Sequence, residues 1–406
     1  MRGLPCVLVS GLLVACAAEV PEGPIAPPPG GKADVWGSDD RTETGAGSAA
    51  VRELARTGAM LLAAGYLETR TDGAGRITGY RLNEHTQTLQ ARYGLCPDVR
   101  FADQPAVGFC SATLVAPDLV LTSGHCLSRT GGSAETARCE DVRVIFDFVV
   151  DGGDVRSFGV DDVYACARVE ALRNEDSPEN LDWALVRLDR PVEGRAPAAL
   201  LRGTPRAGEA VIQIAHPSGL PQKLAPGTVT DASDFLTYGR HEDVSFSYDA
   251  DLFGGASGGS VFVTARGALA GVPAAFSGRD YVSRPDGLCN VVGVCGDNTT
   301  CTTPPLACAT STILRHLERD APHLLEELRL VGEADPPPPP CAHSCADYRY
   351  AEGECAHDWR CVDGCLEPTS CADVCERECR DYLFAEGQCY GAWRCTDGCL
   401  EPAECD

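Results

Sequence analysis

Asp251-Leu252-Phe253-Gly254-Gly255-Ala256-Ser257-Gly258-Gly259-Ser260 sets one serine among four glycines. Glycine lacks the Cβ that blocks sharp turns, so the chain here can bend tightly and turn its N–H groups inward. A nucleophilic hydroxyl needs such a frame. Its Oγ must stand clear of the backbone, and nearby N–H groups must face the oxyanion formed when it attacks a carbonyl. Alone the pattern is weak. Gly-x-Ser-x-Gly also marks the nucleophile elbow of α/β-hydrolases, and the chain holds 43 glycines. Its weight comes from two segments upstream.

The first runs from Phe109-Cys110-Ser111-Ala112-Thr113-Leu114-Val115 to Leu121-Thr122-Ser123-Gly124-His125-Cys126. Two cysteines bracket an apolar hairpin, and a histidine sits beside the second. A Cys110–Cys126 disulfide closes a loop of about 15 residues, worth roughly 3 kcal/mol in the chain-entropy picture. It would also fix His125, as a general base requires. An ordinary strand-end histidine accounts for this segment equally well. The second segment is Leu181-Asp182-Trp183-Ala184-Leu185-Val186-Arg187-Leu188. A carboxylate entering so apolar a strand needs a partner. An imidazole N–H is a natural one, and the ion would hold the histidine in its productive tautomer. On that segment alone a strand-start turn or cap is the plainer account.

Taken together, Thr122–Cys126, Asp182–Leu185 and Gly255–Ser260 resemble the three catalytic boxes of the trypsin/chymotrypsin-like serine proteases, in that family's order of His, Asp, Ser. The α/β-hydrolases run Ser, Asp, His. The likeness covers about residues 96–333. It implies an all-β fold of two six-stranded antiparallel barrels with the site between them and a C-terminal helix. By the same resemblance Ser257 attacks the scissile carbonyl, His125 takes and returns its proton, Asp182 orients His125, and the N–H groups of Gly255 and Ser257 form the oxyanion hole.

Departures from the family sharpen the likeness. The animal digestive enzymes carry an aspartate just before the serine, where it pairs with a freshly cut N-terminus. Here that residue is Ala256, and no Ile-Val-Gly-Gly start follows a basic residue. The chain is closer to the bacterial glutamyl-endopeptidase-like and HtrA-like branches. Asp251 lies at the offset that binds Lys or Arg side chains in trypsin, and a differently shaped loop is the alternative. Gly271-Val272-Pro273-Ala274-Ala275 lacks the histidine of the glutamate-specific members, which weakens that specificity.

The rest of the 406 residues frames this region. A formal net charge of −25 argues against nucleic acid or an anionic membrane surface as partner. Residues 1–15 read as a secretory signal: Met1-Arg2, then an apolar run too short to span a bilayer. Leu13-Val14-Ala15-Cys16 resembles a bacterial lipoprotein box with Cys16 as the lipidated residue; ordinary cleavage near Ala18 is the alternative. The expected location is therefore exported: an outer-membrane or cell-surface lipoprotein, or extracellular, touching membrane only through that lipid. Export makes disulfides the expected state of the 23 cysteines.

Residues 16–50, rich in Pro and Gly, read as a flexible tether. Residues 51–95 read as an N-terminal extension or propeptide, in which Gly58–Ala64 fits either a helix end or a buried strand. Residues 96–334 form the protease-like domain of many short apolar runs split by turn residues. It ends in a helical pattern over Ser311–Val331, with Ser311 as N-cap and a break at Pro322. Its nine cysteines suggest a Cys139–Cys166 pair and local bridges among Cys289, Cys295, Cys301 and Cys308, with one cysteine left over.

Five prolines, Pro336–Pro340, then make a stiff spacer over 335–340. Residues 341–371 and 375–405 repeat with a period of 34 and carry six cysteines each. Units this small need disulfides to hold them. Their cysteines lack paired Cys-x2-Cys spacing, which argues against zinc. Trp359 and Trp393 recur in both, either as small cores or as a platform for a surface protein or glycan.

The reading is a serine endopeptidase acting on protein or peptide substrates without metal or cofactor. The alternatives are a catalytically silent surface binding protein on the same fold and an esterase using the same residues.

Overall fold

The computed structural model describes Val35 and residues 38–333, apart from 129–132, 175–180, 237–238, 276–278 and 296–304. In the tail it describes the backbone of residues 355–356, 359–362, 365–368, 389–390, 393–396 and 399–402. The signal segment, Cys16 and the tail cysteines' pairing lie outside the described residues.

Twelve strands make two closed antiparallel barrels of six. The first comprises β1 (Gly58–Ala63), β2 (Cys110–Ala116), β3 (Leu119–Thr122), β4 (Val142–Phe146), β5 (Val163–Asn174) and β6 (Asp182–Leu188). Their order is β6-β3-β2-β1-β4-β5, closed by β5 on β6. The second comprises β7 (Ala210–Ala215), β8 (Lys223–Leu236), β9 (Gly239–Tyr248), β10 (Ser260–Val263), β11 (Ala268–Ala275) and β12 (Leu306–Ala309). Their order is β10-β7-β8-β9-β12-β11, closed by β10 on β11.

Strand alternation explains why these segments read as unbroken apolar runs. On β6, Ala184, Val186 and Leu188 fill the first barrel, while Trp183 and Leu185 face outward into a second core. That outer core joins Leu119 and Leu121 of β3 to Ile212 and Ile214 of β7, Phe262 of β10 and Leu269 of β11. Both faces are therefore buried, so most positions select an apolar side chain. The helix α1 (Thr310–Asp320) lays Ile313, Leu314 and Leu317 on the same core. Arg187 of β6 ties down the segment after it, bonding Glu327 at 2.7 and 2.9 Å as well as Asp118 and Glu170.

Several expectations are corrected. The first barrel begins well before residue 96, because Gly58–Ala63 is a fully paired strand between β2 and β4. Six residues are too few for periodicity to separate strand from helix. The segment before it is built into the fold rather than a loose tether from end to end. Val35 is fully buried and Arg41 is 1% exposed, and Thr42–Glu43 pairs with Leu224 and Lys223 of β8. The C-terminal helix starts at Thr310 with Ala309 as its N-cap, while Ser311 Oγ meets Thr204 Oγ1 instead. Pro322 does end it, opening a separate turn, Pro322–Leu325. Cys139 pairs with Cys166 as expected. Cys289, however, bridges to Cys96 across 193 residues rather than locally, and Cys308 is a buried residue of β12.

In the tail, each repeat forms a three-stranded antiparallel sheet. Cys355 opposes Arg360 and Trp359 opposes Pro368 in the first; Cys389 opposes Arg394 and Trp393 opposes Pro402 in the second. No helix among the described residues is long and apolar enough to cross a membrane.

Candidate active site

His125 and Asp182 are both carried by the first barrel. Asp182 opens β6, opposite Asn174 of β5, and His125 sits in the single helical turn Gly124–Cys126 that follows β3. Because β6 pairs with β3, the strand end bearing the carboxylate lies beside the turn bearing the imidazole. The carboxylate grips this histidine twice. Its Oδ1 accepts the His125 backbone N–H at 2.9 Å, and its Oδ2 lies 2.6 Å from Nδ1. With Nδ1–H donated to the carboxylate, Nε2 is left as the basic nitrogen. Burial disfavours the imidazolium, but the hydrogen bond and charge of Asp182 outweigh it, and His125 titrates above its ordinary value.

The Cys110–Cys126 disulfide forms, with Cα atoms 6.1 Å apart, and staples the histidine turn to β2. The His125 ring and these two sulfurs lie within 4.8 Å of one another, yet sulfurs bonded to each other are not thiolate ligands.

Ser257 belongs to the second barrel's side, in the turn leading into β10. The two halves are locked by short contacts. The Ser111 N–H donates to the Ser257 carbonyl at 2.8 Å, and Ser111 Oγ donates to the Gly255 carbonyl at 2.8 Å. Ser123 Oγ reaches the Pro273 carbonyl at 2.6 Å. Gly258 makes the approach feasible. At φ 78° it adopts the left-handed region, and a Cβ there would lie 2.1 Å from Thr122 Oγ1 and 2.4 Å from the Ser111 carbonyl. Gly255, at φ 87°, is also left-handed, and a Cβ there would lie 3.0 Å from the His216 carbonyl. Among the described residues the N–H groups of Gly255 and Ser257 donate to no protein acceptor, which leaves both available to an incoming oxygen. His125 and Ser257 are not themselves hydrogen bonded to each other among the described residues. Such bonds often tighten only when substrate is bound.

Asp251 takes a different place from the one its offset suggests. It is 2% exposed, and its Oδ2 accepts the Asp40 backbone N–H at 2.8 Å. The carboxylate is thus committed to the N-terminal segment rather than free on a pocket wall. Burial pushes it up to about 7, helped by the nearby Asp40 and Asp39 carboxylates and opposed by the Asp40 N–H and Arg41.

Sequence reasoning missed three groups. Ser111 bridges both halves of the site, and nothing but its place after Cys110 marks it. His216 is buried behind Gly255. Its N–H donates to Ser111 Oγ at 2.8 Å, and burial pushes its imidazole down to about 3, so it stays neutral and structural. The N-terminal strap, residues 38–43, supplies Arg41. Its guanidinium lies 3.5 Å from the Phe253 ring centroid and is held by Asp39 at 2.8 Å through both Nε and Nη2.

Residues 110–272 match the family model described as the trypsin-like peptidase domain. No curated protein matches the chain. Among solved structures, a Glu endopeptidase in complex with MPD is 16% identical, with 70% of this chain and 99% of that one covered and a TM-score of 0.38. The HtrA-type protease AlgW with a decapeptide is 16% identical over 67% of this chain and 66% of its own, at 0.37. Rv3671c of M. tuberculosis, in an inactive form, is 12% identical over 70% and 95%, at 0.36. These likenesses are distant, and none of them bears on substrate or mechanism here.

Proposed function

We propose that the trypsin-like peptidase domain of this chain works as a serine endopeptidase, secreted or tethered at the cell surface. The observation that carries the reading is the doubly gripped His125–Asp182 pair on a turn stapled to β2, whose Ser111 holds the Ser257 loop. In this reading Ser257 Oγ attacks the peptide carbonyl carbon while His125 Nε2 takes its proton. The carbonyl oxygen becomes an oxyanion facing the N–H groups of Gly255 and Ser257. The C–N bond then breaks, the leaving amine takes the proton from His125, and the acyl group stays on Ser257. Water, deprotonated by His125, releases the acid and restores the serine. Asp182 holds the tautomer and steadies the imidazolium throughout. Export is supported by the signal-like start and by three disulfides among the described residues, which fit an oxidising compartment.

The test is Ser257→Ala in the full chain. Cleavage of casein should fall by at least about a thousandfold while the variant stays folded, because removing such a nucleophile costs orders of magnitude. A loss smaller than about tenfold counts against the reading. A silent binding protein is the second reading, favoured by the lack of a direct His125–Ser257 bond among the described residues. A fluorophosphonate probe that never labels the wild type at Ser257 would support it.

A further inference from the structure

The proposed chemistry needs the Gly255 N–H aimed at the reacting carbonyl, and residues distant in sequence hold the backbone that aims it. The Gly254 carbonyl accepts the Ser218 N–H. A trans peptide puts C=O and N–H on opposite sides. The Gly255 N–H of that same peptide therefore points away from Ser218, and it has no protein acceptor among the described residues. On its other side, the Gly254 N–H donates to both oxygens of Asp280, at 3.0 and 3.2 Å. Both peptide planes flanking the Gly254 Cα are thus pinned, its amide plane by Asp280 and its carbonyl plane by Ser218.

Ser218 itself is held in an unfavourable conformation. Its φ of 56° and ψ of 17° are left-handed for a residue with a Cβ. Surrounding contacts must hold it there, and one comes from the neighbour of Asp280: Ser218 Oγ meets the Tyr281 hydroxyl at 2.9 Å. One dipeptide, Asp280-Tyr281, therefore grips Gly254 from both sides, directly through the carboxylate and indirectly through Ser218. Asp280 is 2% exposed, and an aspartate is rarely so deeply buried unless it is paired.

We propose that Asp280 and Tyr281 are positioning residues that hold the Gly254–Gly255 peptide with the Gly255 N–H turned toward the reacting oxygen. This rests on the endopeptidase reading for its purpose but not for its geometry. It predicts a defect in kcat rather than in KM, since the oxyanion exists only during reaction.

The experiment compares Asp280→Ala, Asp280→Asn and Tyr281→Phe in the full chain on a peptide amide. A lost oxyanion donor costs about 100- to 1000-fold, and a loosened one should cost less. Asp280→Ala should lower kcat about 10- to 100-fold with KM changed less than about threefold. Asp280→Asn, whose Oδ1 can still accept the Gly254 N–H, should recover to within about threefold of wild type, and Tyr281→Phe should lose about threefold. An Asp280→Ala enzyme as fast as wild type, or an Asn variant no better than Ala, overturns the proposal. If Asp280→Ala does not fold, Tyr281→Phe decides: an unchanged kcat overturns it. A crystal structure of Asp280→Ala or Tyr281→Phe reads the peptide directly. A Gly254–Gly255 peptide turned away from its wild-type orientation supports the proposal and an unmoved one overturns it, even if the wild type cleaves nothing and only the endopeptidase reading fails.

Discussion

The two halves of the site are held by opposite means. The His125–Asp182 half is self-contained. Its carboxylate comes from β6 and its imidazole from the turn after the adjoining β3; they bond directly, and the turn is stapled by a disulfide between residues only 16 apart in sequence. The Ser257 half borrows its order. Its loop is held from Asp40 and Arg41 in the N-terminal strap, from Ser111 in the first barrel, and from Ser218 and Asp280 in the second. His125 is fixed by two bonds from one carboxylate and by a disulfide. The Ser257 loop depends on many contacts from distant residues, each modest. Damage to the first half should therefore appear as lost chemistry in a stable protein, and damage to the second as lost stability and lost chemistry together.

The largest effect should follow Asp182→Asn. An asparagine keeps the volume but cannot demand Nδ1–H donation, so the wrong tautomer is favoured and kcat should fall about 10⁴-fold. The fold should survive, since the barrel's packing is untouched. The pH signature is separate from the rate. In the proposed mechanism His125 must be neutral to act as a base, so activity should fall as pH drops through its pKa, and Asp182 holds that pKa above its ordinary value. In the asparagine variant the imidazole signal, followed by NMR, should titrate at lower pH than in wild type. A midpoint that rises, or a rate loss under about tenfold, would break the claim that this half is autonomous.

That half was also the legible one. His125 and Asp182 each sit in a short motif whose neighbours are adjacent in sequence, as does Ser257 itself in the other half, and the motif order decides between folds. The supporting half was not. Ser38-Asp39-Asp40-Arg41-Thr42-Glu43 is polar and follows a Pro/Gly-rich stretch, so it reads as linker. What buries it is charge satisfied by remote partners: Lys223 holds Glu43 at 3.0 Å across 180 residues, and Arg41 lies on Phe253. Nothing local encodes such pairings. Asp251 shows the limit from the other side. Its offset from Ser257 matches a specificity residue, but the Asp40 N–H that occupies its carboxylate comes from 211 residues away. The Cys96–Cys289 bridge was hidden for the same reason.

Arg41→Ala sharpens the comparison from the borrowed side. Arg41 is buried between Asp39 and the Phe253 ring, and its loss leaves Asp39 buried with the residue 41 backbone N–H and the half-exposed Arg100 beside it. Breaking one partner of a buried pair costs about 3 kcal/mol or more, so thermal unfolding should move down by several degrees. Casein cleavage should fall as well, because Phe253 lies four residues before Ser257. A variant with wild-type stability and wild-type rate would show that the strap merely rests on the loop and does not order it.

The smallest effect, and the finest test of the strap, is the pH dependence of Asp251→Asn. The native carboxyl keeps its proton to about pH 7, chiefly because it is buried, whereas the unfolded group releases it near its ordinary value of 3.8. Between those limits the native state binds more protons than the unfolded chain. The sign of linkage then makes this group's contribution to stability fall as pH rises through that window. Asparagine is neutral throughout, and its Oδ1 can still accept the Asp40 N–H. The variant should therefore melt a few degrees above wild type at pH 8, with the difference shrinking to nothing by about pH 4. If the variant instead melts lower at pH 8, the ionised carboxylate is favourable where it lies. The strap would then be held to the Ser257 loop by the attraction between Asp251 and Arg41 rather than by one neutral hydrogen bond.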